Sequence, residues 1–225
     1  MKKIIEKIIL SLFNVLSKKQ SKDIELELQK QALQSTAKFI MENMINVASF
    51  NDKWELLKYS LDNSKKNELC LEFGVYKGDT INFIASHTNS KIYGFDSFNG
   101  LPENWRNGFD TGHFKLEKLP KVENNVELIV GLFEKSLPVF LKEFNKKISF
   151  IHIDCDLYSS TKTIFDLISN NVQKGTVIVF DEFFNYPGWE FGEALAFFEF
   201  IKKNNTKFVY LGYSKNDEQL AIKII

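Results

Sequence analysis

The sequence predicts an α/β fold in which a doubly wound, mostly parallel seven-stranded sheet ends in an antiparallel hairpin and carries an N-terminal helical cap. Short apolar runs of strand length alternate with helical patterns from residue 68 onward, which is typical of a parallel sheet covered on both faces. The residues before 68 show helical patterns with polar breaks, and the last two apolar runs are joined by a short polar connection. We therefore divide the chain into an N-terminal helical region, 1–67, and a second domain, 68–225.

Each element of this fold has its own local signal. Helical patterns extend from Ile24 to Ala48 and from Lys53 to Leu61, and Asp52 between them is a favourable N-cap residue. The hairpin strands run from Phe208 to Tyr213 and from Gln219 to Ile225. The other predicted strands cover 68–74, 91–97, 126–131, 148–155 and 175–182. The helices of the second domain cover 79–87, 134–144, 159–171 and 190–204.

Composition narrows the range of functions. The chain has 225 residues, of which 44% are hydrophobic, and this is enough to bury the core of one α/β domain. Lysine and arginine together number 29, as do aspartate and glutamate, so the zero net charge argues against a nucleic-acid binder. Cys70 and Cys155 fall in predicted buried strands. We expect them to be core residues in a reducing cytoplasm rather than a disulfide or a zinc site.

Residues 1–20 predict an amphipathic helix. Apolar residues from Ile4 to Leu16 recur at i, i+4 spacing, and the lysines lie off that stripe. Glu6 and Lys7 interrupt the apolar part and no small-residue cleavage site follows, which is unlike a signal peptide. The segment is too short and too charged to span a bilayer. We expect it to pack on the domain or on a second subunit of a homo-oligomer, with peripheral membrane contact as the alternative.

The stretch ELCLEFGVYKGDT, from Glu68 to Thr80, is the first candidate site. It predicts a buried strand with Glu72 near its end, a glycine turn from Gly74 to Gly78, and the start of a helix. Backbone N–H groups point outward there, so the turn can cradle a polar ligand. The spacing is E-x-G-x-x-x-G rather than the dinucleotide fingerprint G-x-G-x-x-G. A carboxylate beside the turn suits a ligand with a cationic end, such as S-adenosylmethionine.

The second strand of this domain ends in Asp96, which lies 24 residues beyond Glu72. In a doubly wound fold, an acidic residue at this place hydrogen-bonds the ribose hydroxyls of a bound nucleoside. That role is common to nicotinamide and S-adenosylmethionine sites, so it does not separate them. Phe98 is a candidate to lie against adenine, with a core role as the alternative.

Carboxylates gather at the ends of the fourth and fifth strands of this domain. In ISFIHIDCDLY, His152, Asp154 and Asp156 alternate with apolar residues, and GTVIVFDEFF contributes Asp181 and Glu182. The two strands are expected to be neighbours about 5 Å apart, so Asp154, Asp181 and Glu182 should converge at the rim where ligands bind. All-oxygen ligands favour magnesium or another hard divalent cation. Pairing of these acids with lysines is the alternative.

Five runs of the sequence agree in order and spacing with one known family. They are LEFGVYKGDT, YGFDSFNGLPENW, VELIVGLFEKSLP, HIDCDLYSST and VIVFDEFFNYPGW, and they cover about residues 68–190. On these runs the chain resembles the class I S-adenosylmethionine-dependent O-methyltransferases of the macrocin O-methyltransferase family, which includes mycinamicin and novobiocin sugar methyltransferases. The resemblance implies a Rossmann-like methyltransferase domain over 68–225.

The resemblance also implies a role for each matched residue. Asp154 matches an acid that ligates magnesium and can act as general base, and Asp181 and Glu182 match paired acids that complete the metal site. The family more often has two aspartates at that pair, so Glu182 departs from its pattern by one methylene. The implied cofactor contacts, besides Asp154, are Glu72, Phe73, Gly74, Gly78, Thr80, Asp96, Ser97, Phe98, Gly131 and Phe133.

The expected reaction is methyl transfer from S-adenosylmethionine to a hydroxyl of a sugar or glycosylated small molecule. A divalent cation would lower the pKa of that hydroxyl, and Asp154 would take its proton. The long loop at 98–123 and the helical N-terminus would close over the substrates. The aromatic run at 183–189 is a candidate to stack on a sugar ring, with packing as the alternative, and His113 is a further candidate base.

Two other functions remain open from the sequence alone. A nicotinamide-dependent oxidoreductase would share the fold, although the G-x-G-x-x-G fingerprint and a Tyr-x-x-x-Lys run near the fourth strand are missing. A non-catalytic module would bind a nucleoside ligand and dock on a membrane or partner through residues 1–20. Retention of every expected acid favours the enzyme.

Overall fold

The computed structural model describes residues 5, 6, 9, 21–65 and 68–225. The amphipathic helix predicted over residues 1–20 lies almost wholly outside the described residues. Within the described part of the chain, no helix combines the length and the apolar character needed to cross a membrane.

The sheet has eight strands, numbered here along the chain. They are β1 Ala48–Phe50, β2 Leu69–Phe73, β3 Ile92–Asp96, β4 Val126–Val130, β5 Ile148–Ile153, β6 Val177–Phe180, β7 Phe208–Ser214 and β8 Leu220–Ile224. Their spatial order is β1-β7-β8-β6-β5-β2-β3-β4. β8 runs antiparallel to β6 and β7, and the other neighbouring strands pair in parallel. This confirms the predicted doubly wound sheet that closes with a hairpin.

Helices cover both faces of the sheet. In the described residues they are α1 Ile24–Asn43, α2 Lys53–Asp62, α3 Asp79–Ser86, α4 Phe133–Glu143, α5 Tyr158–Ile168 and α6 Glu193–Asn204, with a 3₁₀ turn at Trp189–Phe191. Two core clusters hold these layers together. Cys70 of β2 packs in the cluster of α2 and α3, whereas its neighbour Leu71 packs in the cluster of α1, α4, α5 and α6. Successive strand residues point to opposite faces, so one strand contributes to both clusters.

The helix predicted from Ile24 to Ala48 is too long, because α1 ends at Asn43. Met44 leaves the helical conformation with a φ of −139°, and its side chain is buried. The chain then forms β1, an eighth strand that the sequence did not predict, in which Ala48 pairs with Gly212 of β7. A Cβ on Gly212 would lie 2.5 Å from the Phe50 ring, so glycine leaves the space that β1 needs.

The break at Asp52 is confirmed as a helix cap. Its Oδ1 accepts the N–H groups of Trp54 and Glu55, each at 3.0 Å. The start of α2 packs on α3 through the rings of Trp54 and Phe83, whose centroids are 4.9 Å apart. Lys53, the first residue of α2, is thereby held over the carboxyl end of β6, where its Nζ lies 3.4 Å from Asp181.

The long loop between β3 and β4 contains no helix or strand, as predicted, yet it is well connected. We call residues 98–123 the lid. Within it, the N–H of Leu101 donates to the carbonyl of His113 at 2.9 Å. Arg106 ties the lid to the β7–β8 turn, because its Nη1 donates to both carboxylate oxygens of Glu218 at 3.1 Å. The lid is therefore anchored beside the strand ends.

Candidate active site

The loop after β2 makes a tight turn that requires glycine. Gly74 has a φ of +89°, and its N–H donates to the carbonyl of Phe95 at 2.9 Å. A Cβ on Gly74 would lie 1.6 Å from the carbonyl oxygen of Asp154. Gly78, with a φ of +86°, directly precedes α3, and its N–H donates to the carbonyl of Val75 at 2.8 Å. The turn thus presses against the backbone after β5 and opens into a helix start, where N–H groups face outward.

Asp96 braces this turn from the end of β3. Its Oδ2 accepts the N–H groups of Val75 and Tyr76, each at 2.9 Å, and its Oδ1 accepts the N–H of Phe98 at 2.7 Å. A carboxylate has about four acceptor sites, so about one is left for a ligand hydroxyl. The ribose-binding role stays a prediction, and the structure adds a bracing role to it.

A cavity of about 560 Å³ opens at the carboxyl ends of the central strands, beneath the lid. Ligands of open α/β sheets bind in this place, and the volume suits a small molecule. The predicted site residues that line it are Gly74, Thr80, Asp96, Ser97, Gly131, Phe133, Asp154, Asp181 and Glu182. The predicted residues that do not line it are Glu72, Phe73, Gly78 and Phe98.

The residues outside the cavity lining support it from below. Phe73 is fully buried and stacks on Phe95, with 5.0 Å between ring centroids. Phe98 is buried in the cluster of α2 and α3, which is the core role left open by the sequence. Gly78 completes the turn, and Glu72 is fully buried beneath it.

A chain of charged groups runs beneath the cavity. Glu72 Oε1 accepts the hydroxyl of Thr80 at 2.6 Å and lies 3.8 Å from Nδ1 of His152. The other ring nitrogen of His152 lies 3.8 Å from Asp181 Oδ1, and Asp181 Oδ2 accepts a hydrogen bond from Lys53 at 3.4 Å. Burial lowers the pKa of His152, but Asp181 and Glu72 outweigh it and raise that pKa to about 10. The ring thus lies between two carboxylates that favour its charged form.

Asp181 is neutralised by this chain. Burial would raise the pKa of Asp181, but the adjacent His152 and Lys53 hold it below its usual value. Burial likewise opposes the charge of Lys53, but Asp181 and Asp154 raise the pKa of its ammonium above the usual value. Lysine pairing, the alternative to metal binding, therefore describes Asp181 in this structure.

Three other carboxylates meet at the cavity floor. Asp154, Asp156 and Glu182 each offer an oxygen, and these oxygens all lie within 4.8 Å of one another. Burial and then the charge of Asp181 raise the pKa of Asp154 and Glu182 well above the usual range. Burial raises the pKa of Asp156 to about 7, although Arg106 opposes it. The predicted metal trio shares Asp154 and Glu182 with this group, and Asp156 stands in the place of Asp181.

The three carboxylates fit a hard divalent cation. Glu182 Oε2 is buried and has no hydrogen-bond partner among the described residues. Like charges gathered in one place are costly without a cation, and oxygen ligands are those that Mg²⁺ prefers. Glu72, His152 and Asp154 also approach one another within 4.8 Å. That second group is less suited to a metal, because Glu72 and His152 are fully buried outside the cavity lining and Glu72 already accepts the Thr80 hydroxyl.

Sequence reasoning missed three features of the site. Lys53 carries no motif, since only the packing of α2 brings it to the cavity. Asp156 is one of the alternating carboxylates in the sequence. Both Asp154 and Asp156 lie beyond the end of β5, and Asp156 has a φ of +64°, so strand alternation does not bring it to Asp154 and Glu182. The lid contributes the cavity-lining aromatics Trp105, Phe109 and Phe114, which composition alone does not single out.

The aromatic run at 183–189 packs in the core rather than in the cavity. Phe183, Phe184, Tyr186 and Trp189 are buried, and none of them lines the cavity. His113, the further candidate base, also stays outside the cavity lining. Its ring contacts those of Phe109 and Phe114 inside the lid, with centroids 4.8 and 4.4 Å away.

The strand order, the glycine turn after β2 and the acid at the end of β3 define a class I methyltransferase, the class that takes its methyl group from S-adenosylmethionine. A family model described as a methyltransferase domain matches residues 71–183, which is half of the chain. The chain belongs to this family. A search of curated protein sequences found no match.

Solved structures share the fold. The calicheamicin methyltransferase CalS11 has a TM-score of 0.59 at 21% identity, over 76% of this chain and 77% of that one. Its apo structure, described as a TDP-rhamnose 3'-O-methyltransferase, has a TM-score of 0.54 at 22% identity, over 76% and 77% of the two chains. The O-methyltransferase NovP has a TM-score of 0.54 at 17% identity, over 76% and 78%. At these identities the similarity shows the fold alone.

Proposed function

We propose that this methyltransferase transfers the methyl group of S-adenosylmethionine to a hydroxyl of a sugar or glycosylated small molecule. A divalent cation would be held by Asp154, Asp156 and Glu182, which we call the acid group. One observation carries the proposal, namely the contact between the glycine turn and the acids. Gly74 abuts the carbonyl of Asp154, whose N–H donates to the carbonyl of Phe73 at 2.8 Å. A donor over the turn and a hydroxyl at the acids would therefore meet in one cavity.

The donor side of the cavity suits S-adenosylmethionine. The turn at Gly74 presents backbone next to the start of α3, and Asp96 keeps about one acceptor site for a ribose hydroxyl. Gly131 and Phe133 line the wall after β4, where the resemblance places adenine. The acidic lining of the cavity complements the sulfonium and ammonium groups, since opposite charges attract strongly in a partly buried site.

The acceptor side is built from Asp154, Asp156 and Glu182, which would hold the cation. When bound, such a cation lowers the pKa of a coordinated hydroxyl. Asp154 borders both the turn and the acid group, so it is the residue placed to accept the hydroxyl proton. The lid closes the cavity with Trp105 and Phe109, whose rings offer flat apolar surface to a sugar and exclude water.

Other features support a small-molecule acceptor. The structure of CalS11 is described as that of a methyltransferase of TDP-rhamnose, a nucleotide sugar. The zero net charge disfavours a nucleic-acid substrate. Both cysteines are free and buried, which is consistent with action in the cytoplasm. From its amphipathic pattern, we propose that the segment 1–20 contacts a second subunit, or else a membrane surface.

A labelled-methyl assay tests the proposal. The protein is incubated with methyl-labelled S-adenosylmethionine and mixed sugars, nucleotide sugars and glycosides, with Mg²⁺ or with a chelator. We expect label in a hydroxylated acceptor, and we expect chelation to remove most of it. Asp154→Asn should abolish transfer, whereas Glu143→Gln, at an exposed site on α4, should not. Binding of S-adenosylhomocysteine without transfer to any acceptor would favour the non-catalytic alternative.

A further inference from the structure

The cavity floor holds one cation beside its acids, and this cation comes from the N-terminal region. Lys53 lines the cavity, and its side chain is 27% exposed. Its Nζ lies 3.4 Å from Asp181 and 5.3 Å from the centroid of the Trp54 ring. An ammonium has three N–H donors, and Asp181 accepts one of them. Lys53 therefore retains donor capacity toward a ligand.

Two other cations line the described part of the cavity, and both differ from Lys53 in position. Arg106 belongs to the lid, where it donates to Glu218 and lies over the Trp105 ring at 4.0 Å. Lys77 is exposed and lies beside the ring of Tyr76 at 5.0 Å. Of the three, Lys53 is the one that pairs with Asp181.

Packing places Lys53 between the acids and the donor side of the cavity. The ring of its neighbour Trp54 contacts Phe83 of α3, with centroids 4.9 Å apart. The first turn of α3 carries Thr80, which also lines the cavity and follows the glycine turn. The amino end of α2 therefore lies alongside the helix start that would receive the donor.

The donor's own charges call for such a cation. The methionine part of S-adenosylmethionine carries an ammonium and a sulfonium, which the acidic lining of the cavity complements, and one carboxylate, which that lining would repel. A carboxylate in a partly buried site needs a charged or hydrogen-bonding partner. We propose that Lys53 binds the carboxylate of the methionine part of the donor, while Asp181 fixes the position of its ammonium. This assignment rests on the proposed use of S-adenosylmethionine.

The competing explanation is that Lys53 only neutralises Asp181. The two explanations differ in what they predict for the ligand. If Lys53 contacts the donor carboxylate, replacing Lys53 weakens the binding only of ligands that carry that carboxylate. If Lys53 acts through Asp181 alone, its removal affects ligands with and without the carboxylate by the same factor.

A binding cycle separates these explanations. Calorimetry measures the affinity of S-adenosylhomocysteine, and of its analogue that lacks only the carboxylate, for the unmodified protein, Lys53→Met, Lys53→Arg and a control, Lys142→Met, at an exposed site on α4 outside the cavity. We expect Lys53→Met to weaken the binding of S-adenosylhomocysteine by about tenfold or more, which corresponds to one charge-assisted hydrogen bond. The affinity for the analogue should stay within about twofold. Lys53→Arg and Lys142→Met should bind both ligands within about threefold of the unmodified protein.

Each result decides between the explanations. If Lys53→Met weakened the binding of both ligands equally, or of neither, the assignment would be overturned. If the unmodified protein bound S-adenosylhomocysteine and its analogue equally well, the assignment would also fail, and this comparison does not depend on a variant folding. If the unmodified protein bound neither ligand, the proposed donor itself would fail, which is a different outcome from a donor that binds independently of Lys53.

Discussion

The carbonyl oxygen of Asp154 occupies the space in which Gly74 would carry a Cβ, at a distance of 1.6 Å from that atom. The glycine turn and the acid group are thus fitted directly against each other. The Asp154 oxygen is a backbone atom and the backbone fixes the position of a Cβ, so no rotation of a side chain can relieve a clash between them.

Gly74→Ala should therefore be far more harmful than a glycine substitution elsewhere. Gly108 is a matched control, because it has a φ of +86° and a Cβ there would meet nothing within 4 Å. Gly108→Ala should lower the free energy of unfolding by about 1–2 kcal/mol, which is the cost of the left-handed conformation alone. Gly74→Ala should lower the free energy of unfolding by clearly more than this and should abolish the binding of S-adenosylhomocysteine. Denaturant unfolding and calorimetry measure the two effects, and equal losses in both variants would contradict the fit.

The third metal ligand is decided by two substitutions. Asp156→Asn should weaken Mn²⁺ binding by about tenfold or more, because it removes one of three carboxylates that meet at the floor. Asp181→Asn should change that affinity by less than about threefold, because Asp181 is occupied by Lys53 and His152. Titration of free Mn²⁺ by electron paramagnetic resonance measures both. The reverse ranking would restore the trio predicted from the sequence, with Asp181 as a ligand.

His152 should be a large contributor to stability. It lies fully buried between Glu72 and Asp181, so His152→Gln would leave buried Glu72 without a cation and Asp181 with Lys53 alone. Removing one partner of a buried ionic group costs about 3–5 kcal/mol. The exposed His87 provides the control, and His87→Gln should cost less than about 1 kcal/mol in urea unfolding. A similarly small loss in both variants would show that the buried chain of charges is dispensable.

The lid should open more often when Arg106 is replaced. Arg106→Gln removes the charge-assisted bonds to Glu218, worth about 1.5 kcal/mol or more, so amide hydrogen exchange in residues 98–123 should accelerate by about tenfold. Lys115 lies in the same lid and pairs with Glu117 at 3.3 Å in an exposed position. Lys115→Gln should leave the exchange unchanged, since exposed ion pairs contribute little. Unaltered lid exchange in Arg106→Gln would remove Glu218 as the anchor.

The architecture could be predicted because apolar runs and helical periods repeat along the chain, whereas pairings between distant segments could not. The edge strand β1 depends on Gly212, more than 160 residues later, which leaves room for Phe50. A strand of three residues is too short to show a repeating pattern of apolar residues, so no local signal revealed β1.

The site could be predicted in part for the same reason. The glycine turn and the clustered acids follow from strand-end motifs, and Asp154 and Glu182 do meet there. The partners of Asp181 could not be foreseen, because Lys53 belongs to α2 and His152 to β5, the strand beside β6. Glu72 follows the strand-end pattern of a ligand-binding acid, yet it is fully buried against Thr80 and His152.

Methyl transfer by Asp154→Asn tests the proposed mechanism most directly. The variant keeps the shape of the side chain but removes its capacity to accept a proton. We predict that transfer to the identified acceptor falls by about a thousandfold, while S-adenosylhomocysteine binds within about tenfold of the unmodified protein. Full transfer activity in this variant would contradict the role of Asp154 and, with it, the mechanism built on the acid group.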